Sequence, residues 1–141
     1  MLFTQIFFVI ILLPVMLRLF SIPRLMSILT PRDLKVYQHL ELEKLRAKAV
    51  KFTDYILSRN SMAGENTCLK RTLVFYHFLR KMGMDVQVCF GVKYDTLSDS
   101  EAQKRLEGHA WLLYHGDIFL ERNTEVTKTY KQTYCFPDTM K

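Results

Sequence analysis

The sequence predicts an α+β fold in which helices pack on a small antiparallel sheet. Between residues 33 and 82 the apolar residues recur mostly at helical spacings of three to five. After Gly83 the period changes to two, which is typical of a half-buried strand. Two further short apolar segments flank a turn at residues 115–117 and predict a hairpin. At 141 residues, the chain is long enough for one ordinary domain with one core.

The composition is that of a globular protein and selects no class of ligand. Apolar residues make up 49% and charged residues 24% of the chain. The net charge of +6 comes from lysines and arginines spread along the sequence. No basic–aromatic recognition motif accompanies that charge, so we expect no nucleic-acid partner.

The three cysteines are Cys68, Cys89 and Cys135. They are odd in number and include no Cys-x-x-Cys pair, so the sequence indicates neither a disulfide framework nor a four-ligand zinc site. A reducing compartment fits this pattern best. Cys89 lies in the middle of a predicted strand, where a small buried apolar residue is expected.

The first 31 residues form a hydrophobic segment that we interpret as membrane-associated. Residues 1–17 carry no charge and are interrupted by Pro14. They lie at the lower limit of the roughly 17 to 25 residues that cross a bilayer, and they lack the charged start and cleavage site of a secretory signal. If the segment spans the bilayer, arginines at 18, 24 and 32 would hold the remainder in the cytoplasm, at the inner face of the membrane. The alternatives are that this segment lies flat on the membrane surface or packs on the domain as a core helix.

A domain of residues 32–141 is predicted to begin with a long helix. Thr30 suits an N-cap, Pro31 a first helical turn, and Asp33 the positive end of the helix dipole. The helical spacing continues to Ser58 without glycine or proline, as one helix or two joined helices. The sequence from 59 to 67 then has the composition of a loop.

A second, mostly buried helix is predicted to begin at or beside Cys68. Thr67 or Asn66 would cap its start, and Gly83 would terminate it. Three strands follow: 86–92, 109–114 and 118–121. A polar loop from 93 to 108 separates the first two, and residues 122–141 are left without an assigned structure.

Cys68, His109 and Glu121 are the candidate catalytic residues. The N–H groups at a helix start stabilise a thiolate, and the same groups can bind the oxyanion formed when a thiolate attacks a carbonyl. His109, at the start of a strand, would act as the base. Glu121, closing the next strand, would bond the second ring nitrogen if the hairpin register permits, with Asp117 as second choice. The set indicates an enzyme that breaks or makes an amide bond.

Other interpretations of these residues remain open. Each cysteine can be an ordinary buried residue. A zinc site would require the fold to gather four residues that lack the usual ligand spacing: Cys68, Cys89, His109 and Cys135. The second oxyanion donor is not identified, and Gln87 and Asn66 are the candidates. His39 and His77 are expected on helix surfaces or between helices, and His115 in a turn.

Four linked elements resemble the transglutaminase-like protease domain of lasso-peptide biosynthesis B proteins. They are a Cys-Leu-x-Arg helix start at 68–71, an Arg-x-x-Gly helix end at 80–83, a strand ending in Gly-Val at 91–92, and a His-Ala-Trp strand at 109–111. The resemblance covers about residues 60–121. The chain differs from that family at Glu121, where the family more often has Asp. The apolar, arginine-punctuated amino terminus is also similar to that of many members.

The resemblance implies a papain-like, transglutaminase-like cysteine protease core in which Cys68, His109 and Glu121 are the catalytic residues. The expected activity is removal of the leader from a ribosomally made lasso precursor, after which a partner cyclase closes the ring. The first 60 residues leave no room for a leader-recognition module, so a separate leader-recognition protein is expected. No glycine-rich phosphate loop is present, and no nucleotide or other cofactor is assigned. The alternatives are another acyl transfer, such as crosslinking or deamidation, and a non-catalytic membrane-associated scaffold.

Overall fold

The structure is a computed structural model that describes residues 2–59, 67–94 and 106–138. Contacts between residues divide the chain into two units, Met1–Val86 and Gln87–Lys141. The helices of the first unit are α1 (Leu2–Leu19), α2 (Ile22–Leu29), α3 (His39–Arg59) and α4 (Thr67–Lys81). The second unit contains β1 (Val86–Tyr94, whose first residue closes the first unit), β2 (Leu106–Tyr114), β3 (Asp117–Phe119), α5 (Thr124–Thr127) and β4 (Lys131–Phe136). The predicted α+β class is confirmed.

The first unit is a helical layer in which α1 packs against α3 and α4. Its core combines Ile6, Ile10 and Leu13 of α1 with residues of the other three helices. The sequence predicts a boundary after residue 31, whereas the contacts divide the chain after Val86. Helix α1 is long and apolar enough to cross a membrane, with a mean hydropathy of 2.3. Core helices of soluble proteins and signal sequences meet the same criterion.

The predicted helix start at Thr30 is wrong. Thr30 instead terminates α2, with its N–H donating to the carbonyl of Met26 over 3.0 Å. Pro31 explains the difference, because the residue before a proline is disfavoured in helical conformation. The Thr30 hydroxyl lies 2.8 Å from the hydroxyl of Tyr76, which links α2 to α4. Residues 31–38 are not helical, and the next helix begins at His39.

The predicted limits of the second helix are confirmed. Helix α4 begins at Thr67, beside Cys68, and eight of its 15 residues are buried. Gly83 follows it with a φ of +86°, the left-handed conformation that glycine adopts most readily. The N–H of Met84 bonds to the carbonyl of Leu79 and that of Gly83 to the carbonyl of Arg80, both over 3.0 Å. This pattern is a Schellman motif, which closes the end of α4.

The sheet of the second unit has the strand order β3-β2-β1-β4. The β2–β3 and β1–β4 pairs are antiparallel. Strand β4 and helix α5 both lie in the stretch for which the sequence suggested no structure. Strand β2 begins at Leu106 rather than at the predicted His109. The polar loop predicted from 93 to 108 lies largely outside the described residues.

The β2–β3 hairpin turns on two residues with positive φ. His115 has a φ of 51° and Gly116 a φ of 83°, as in a type I′ turn. This confirms the expected turn position of His115. Asp117 was also expected in the turn, but it is the first residue of β3 and pairs with Tyr114.

The expectation that the chain has no disulfide is wrong. Cys89 and Cys135 are directly opposite in the β1–β4 register, with Cα atoms 4.1 Å apart, and their sulfurs are bonded. They are 46 residues apart in the sequence. Because the sequence does not predict β4, it provides no reason to pair Cys89 with Cys135. The alternative of a zinc site also fails, because two of its four proposed ligands, Cys89 and Cys135, are bonded to each other. No cluster of three or more possible metal ligands occurs among the described residues.

Candidate active site

His109 and Glu121 form the centre of the candidate site in the second unit. His109 is the fourth residue of β2, and its Nε2 lies 3.0 Å from Oε2 of Glu121. The two side chains are only 15% and 11% exposed, so the contact is largely shielded from water. The hydrogen bond expected from the sequence is therefore present.

Glu121 reaches His109 because the chain departs from the β2–β3 pairing before residue 121. Strand β3 ends at Phe119. Continued β2–β3 pairing would set Glu121 opposite Ala110, which, as the neighbour of His109, points to the other face of the sheet. Leu120 instead has a φ of 57°, an uncommon conformation for a residue with a branched side chain. This bend redirects the chain after β3 and brings the carboxylate to the imidazole.

Thr127 is a third member of the site that the sequence did not reveal. Its side chain is buried, with 1% exposed, at the end of α5. Its hydroxyl lies 2.5 Å from Oε2 of Glu121 and 3.2 Å from Nε2 of His109. Asn123 caps α5 by accepting a bond from the N–H of Val126. An asparagine three residues before that N–H is the sequence signal that points to this short helix.

The hydrogen bonds of this cluster define the tautomer of His109. A carboxylate only accepts hydrogen bonds, so Nε2 carries the proton that binds Glu121. The single hydroxyl proton of Thr127 is directed to the same carboxylate, which leaves its oxygen to accept from Nε2–H. In the neutral ring, Nδ1 is then the unprotonated nitrogen and the atom that can act as a base.

Two aromatic side chains hold the His109 ring. Trp111 stacks on it with ring centroids 5.9 Å apart, and Tyr130 lies 4.9 Å away. Trp111 occupies space that only a glycine at position 91 leaves open, because a Cβ there would lie 2.6 Å from its Cη2. The β1–β4 register also shifts between Phe90 and Gly91. The glycine of the Gly-Val pair thus has a packing role beneath the site.

Cys68 belongs to the first unit, as the second residue of α4. It is a partly exposed free thiol at the helix end where N–H groups lack partners within the helix. Arg71 fixes this end to α3, since its Nε and Nη2 lie 2.7 and 3.3 Å from the two carboxylate oxygens of Asp54. The guanidinium also lies over the ring of Phe75, 4.5 Å from the centroid. The arginine of the Cys-Leu-x-Arg motif therefore positions the helix start.

The structure also describes the surroundings of Asp117, the second-choice carboxylate, and of Gln87, one of the two suggested oxyanion donors. Asp117 is exposed at the turn end of the hairpin, paired with Tyr114. The side-chain amide of Gln87 donates to the carbonyl of Pro137 over 2.8 Å. Asn66 lies outside the described residues.

Two of the remaining histidines lie on helices of the first unit. His39 is exposed at the start of α3. His77 lies between α4 and α2, with Nδ1 2.7 Å from the carbonyl of Leu29. Burial lowers its pKa below 6.5, with a further lowering from Lys81, against an opposing effect of that hydrogen bond. Both placements match the positions expected from the sequence.

A histidine–carboxylate pair in the sheet unit and a free cysteine at a helix start in the helical unit are the residue types that cysteine-dependent enzymes acting on acyl groups use. The family model described as "Transglutaminase-like superfamily" matches residues 9–135. The chain therefore belongs to the transglutaminase-like superfamily. No curated protein and no solved structure matches the chain.

Proposed function

We propose that this protein is a cysteine peptidase that removes the leader from a lasso-peptide precursor, with Cys68 as nucleophile, His109 as base and Glu121 as the residue that orients the base. The observation that carries the proposal is the His109–Glu121 contact, which leaves Nδ1 of a largely buried imidazole as the basic nitrogen. Membership of the superfamily and a free cysteine at the start of α4 support it.

The proposed reaction has two halves. Nδ1 of His109 takes the thiol proton of Cys68, and the sulfur attacks the carbonyl carbon at the leader–core bond. The N–H groups at the start of α4 stabilise the oxyanion. The imidazolium then gives its proton to the departing amine, which becomes the new amino terminus of the core peptide. Water, deprotonated by His109, cleaves the remaining thioester and releases the leader with a free carboxylate.

The proposed setting is the cytoplasm at the inner face of the membrane, with residues 1–31 in contact with lipid. A separate leader-recognition protein would present the precursor, and a lasso cyclase would use the core peptide. In a reducing cytosol the Cys89–Cys135 bond would be open to reduction, and the β1–β4 ladder would hold the two residues opposite each other in either redox state.

The test is cleavage of a synthetic precursor in the presence of its leader-recognition protein, followed by mass spectrometry. Cys68→Ala should abolish cleavage while leaving the circular dichroism spectrum unchanged, and Cys135→Ala should retain it. Cleavage by Cys68→Ala would refute the proposal. Incorporation of an added amine without leader release would identify a transferase instead.

A further inference from the structure

The first unit contains an apolar cavity that the proposed reaction does not use. Its volume is about 660 Å³, and it lies against one side of α1, where Phe3, Phe7, Ile11 and Val15 line it. Cavities of about 300 to 1,000 Å³ are typical of small-molecule sites. From Phe3 to Val15 the lining extends along α1 for about 18 Å at 1.5 Å per residue. The cavity thus offers a long apolar wall rather than a compact pocket.

Two cationic side chains complete the lining of this cavity. Arg59, the last residue of α3, and Lys70, in the second turn of α4, both contribute to it. The Arg59 guanidinium lies over the ring of Tyr55, 5.3 Å from its centroid, and this cation–π contact holds it beside the cavity. None of the described residues lining the cavity is acidic. A ligand with an apolar body and an anionic group fits both features.

The cavity and the candidate nucleophile lie on different sides of α4. Lys70 follows Cys68 by two residues, which corresponds to a rotation of about 200° around a helix with 3.6 residues per turn. The side chain that lines the cavity therefore leaves the helix in nearly the opposite direction from the thiol. A ligand in the cavity would not occupy the position of an acyl group bound to Cys68.

We infer that this apolar cavity beside α1 is a binding site for a single-chain acyl anion, such as a fatty carboxylate. The chain would lie along α1 against Phe7 and Ile11, and the carboxylate would pair with the Arg59 guanidinium. Burial of the methylene chain against α1 favours binding, and a charge-assisted hydrogen bond to the Arg59 guanidinium adds selectivity for an anion. This inference is independent of the proposed peptidase activity.

Calorimetric titration of the full-length protein with monomeric dodecanoate tests the inference, with dodecanol as the uncharged probe. Ile11→Trp fills the cavity, whereas Leu12→Trp adds the same ring at a neighbouring α1 position that does not line it; the two native side chains are 46% and 53% exposed. We expect binding of one dodecanoate, a loss of at least about tenfold in Ile11→Trp and no change in Leu12→Trp. Equal effects of the two substitutions would overturn the site.

Two variants on α3 test whether binding requires an anionic group on the ligand. Arg59→Gln should weaken dodecanoate binding by about tenfold and leave the weaker dodecanol binding unchanged. Lys48→Gln, an exposed position on the same helix, should change neither. Dodecanol binding as tightly as dodecanoate would overturn the inference. So would adsorption to phosphatidylglycerol vesicles without binding of monomeric dodecanoate, since it would assign the apolar face to the membrane surface.

Discussion

The hydroxyl of Thr127 lies 2.5 Å from the same Glu121 oxygen that bonds His109. Glu121 Oε2 thus receives one bond from the imidazole and one from a buried hydroxyl. The second bond holds the carboxylate in place and leaves the Thr127 oxygen facing Nε2 at 3.2 Å. On this geometry, Thr127 is a positioning residue that acts through Glu121 and His109.

Removing the Thr127 hydroxyl should lower activity without unfolding the protein. Thr127→Val keeps the shape of the side chain, and we expect kcat to fall roughly tenfold to a hundredfold with KM unchanged, as for other outer partners of a reactive group. Thr127→Ser should restore activity. Nitrogen NMR of the His109 ring gives a readout independent of substrate: a rise in the Nδ1–H tautomer is expected in the valine variant. An unchanged tautomer would show a purely structural role.

Glu121 and Asp117 provide a direct comparison between the two carboxylates considered for the third position. Glu121→Ala removes the partner of Nε2, and leader cleavage should fall by roughly one to four orders of magnitude. Asp117→Ala changes an exposed residue at the hairpin turn and should have little effect. Steady-state cleavage rates of the two variants decide between them. A larger loss with Asp117→Ala would contradict the assignment.

Gly91→Ala should destabilise the sheet beneath His109. The added methyl group would lie 2.6 Å from Cη2 of Trp111 and 2.8 Å from the carbonyl oxygen of Lys131. Overpacking of this kind costs roughly 1 to 3 kcal/mol, measured as the free energy of unfolding in urea. Gly108→Ala is the matched control, because a Cβ there meets no atom within 4 Å. Equal stability of the two variants would show that Trp111 moves aside freely.

Stability should decline at mildly acidic pH because of His77. Its pKa is lowered from 6.5 in the folded protein, mainly by burial. As the pH falls below about 6.5, the unfolded chain therefore takes up a proton that the folded chain resists, and the free energy of unfolding decreases. His77→Asn retains a donor for the Leu29 carbonyl without a titrating ring, so it should flatten this dependence in urea unfolding between pH 5 and pH 7. His39→Asn, at an exposed site, should not.

The sequence was informative where local rules act alone. Helix α4 was predicted from its apolar spacing and from Gly83, and β1 from its period of two. The helix start at Thr30 was misassigned because the effect of Pro31 on its preceding residue outweighs the capping preference of threonine. Strand β4 is mostly exposed, lies at an edge of the sheet and lacks an alternation of apolar residues, so the sequence did not predict the strand or the Cys89–Cys135 pairing. The left-handed Leu120 that aims Glu121 has no sequence signature, since leucine rarely adopts that conformation.

In the proposed mechanism His109 takes the thiol proton of Cys68, and the rate of Cys68 alkylation tests this step without any substrate. Iodoacetamide labelling at neutral pH, followed residue by residue by mass spectrometry, should modify Cys68 in the wild-type protein. His109→Gln should slow this labelling by about tenfold or more, because the thiolate is the reacting species and its proton acceptor is lost. His115→Gln, in the hairpin turn, should leave the rate unchanged. Equal labelling of Cys68 in the wild-type protein and in His109→Gln would show that His109 does not act on the Cys68 thiol.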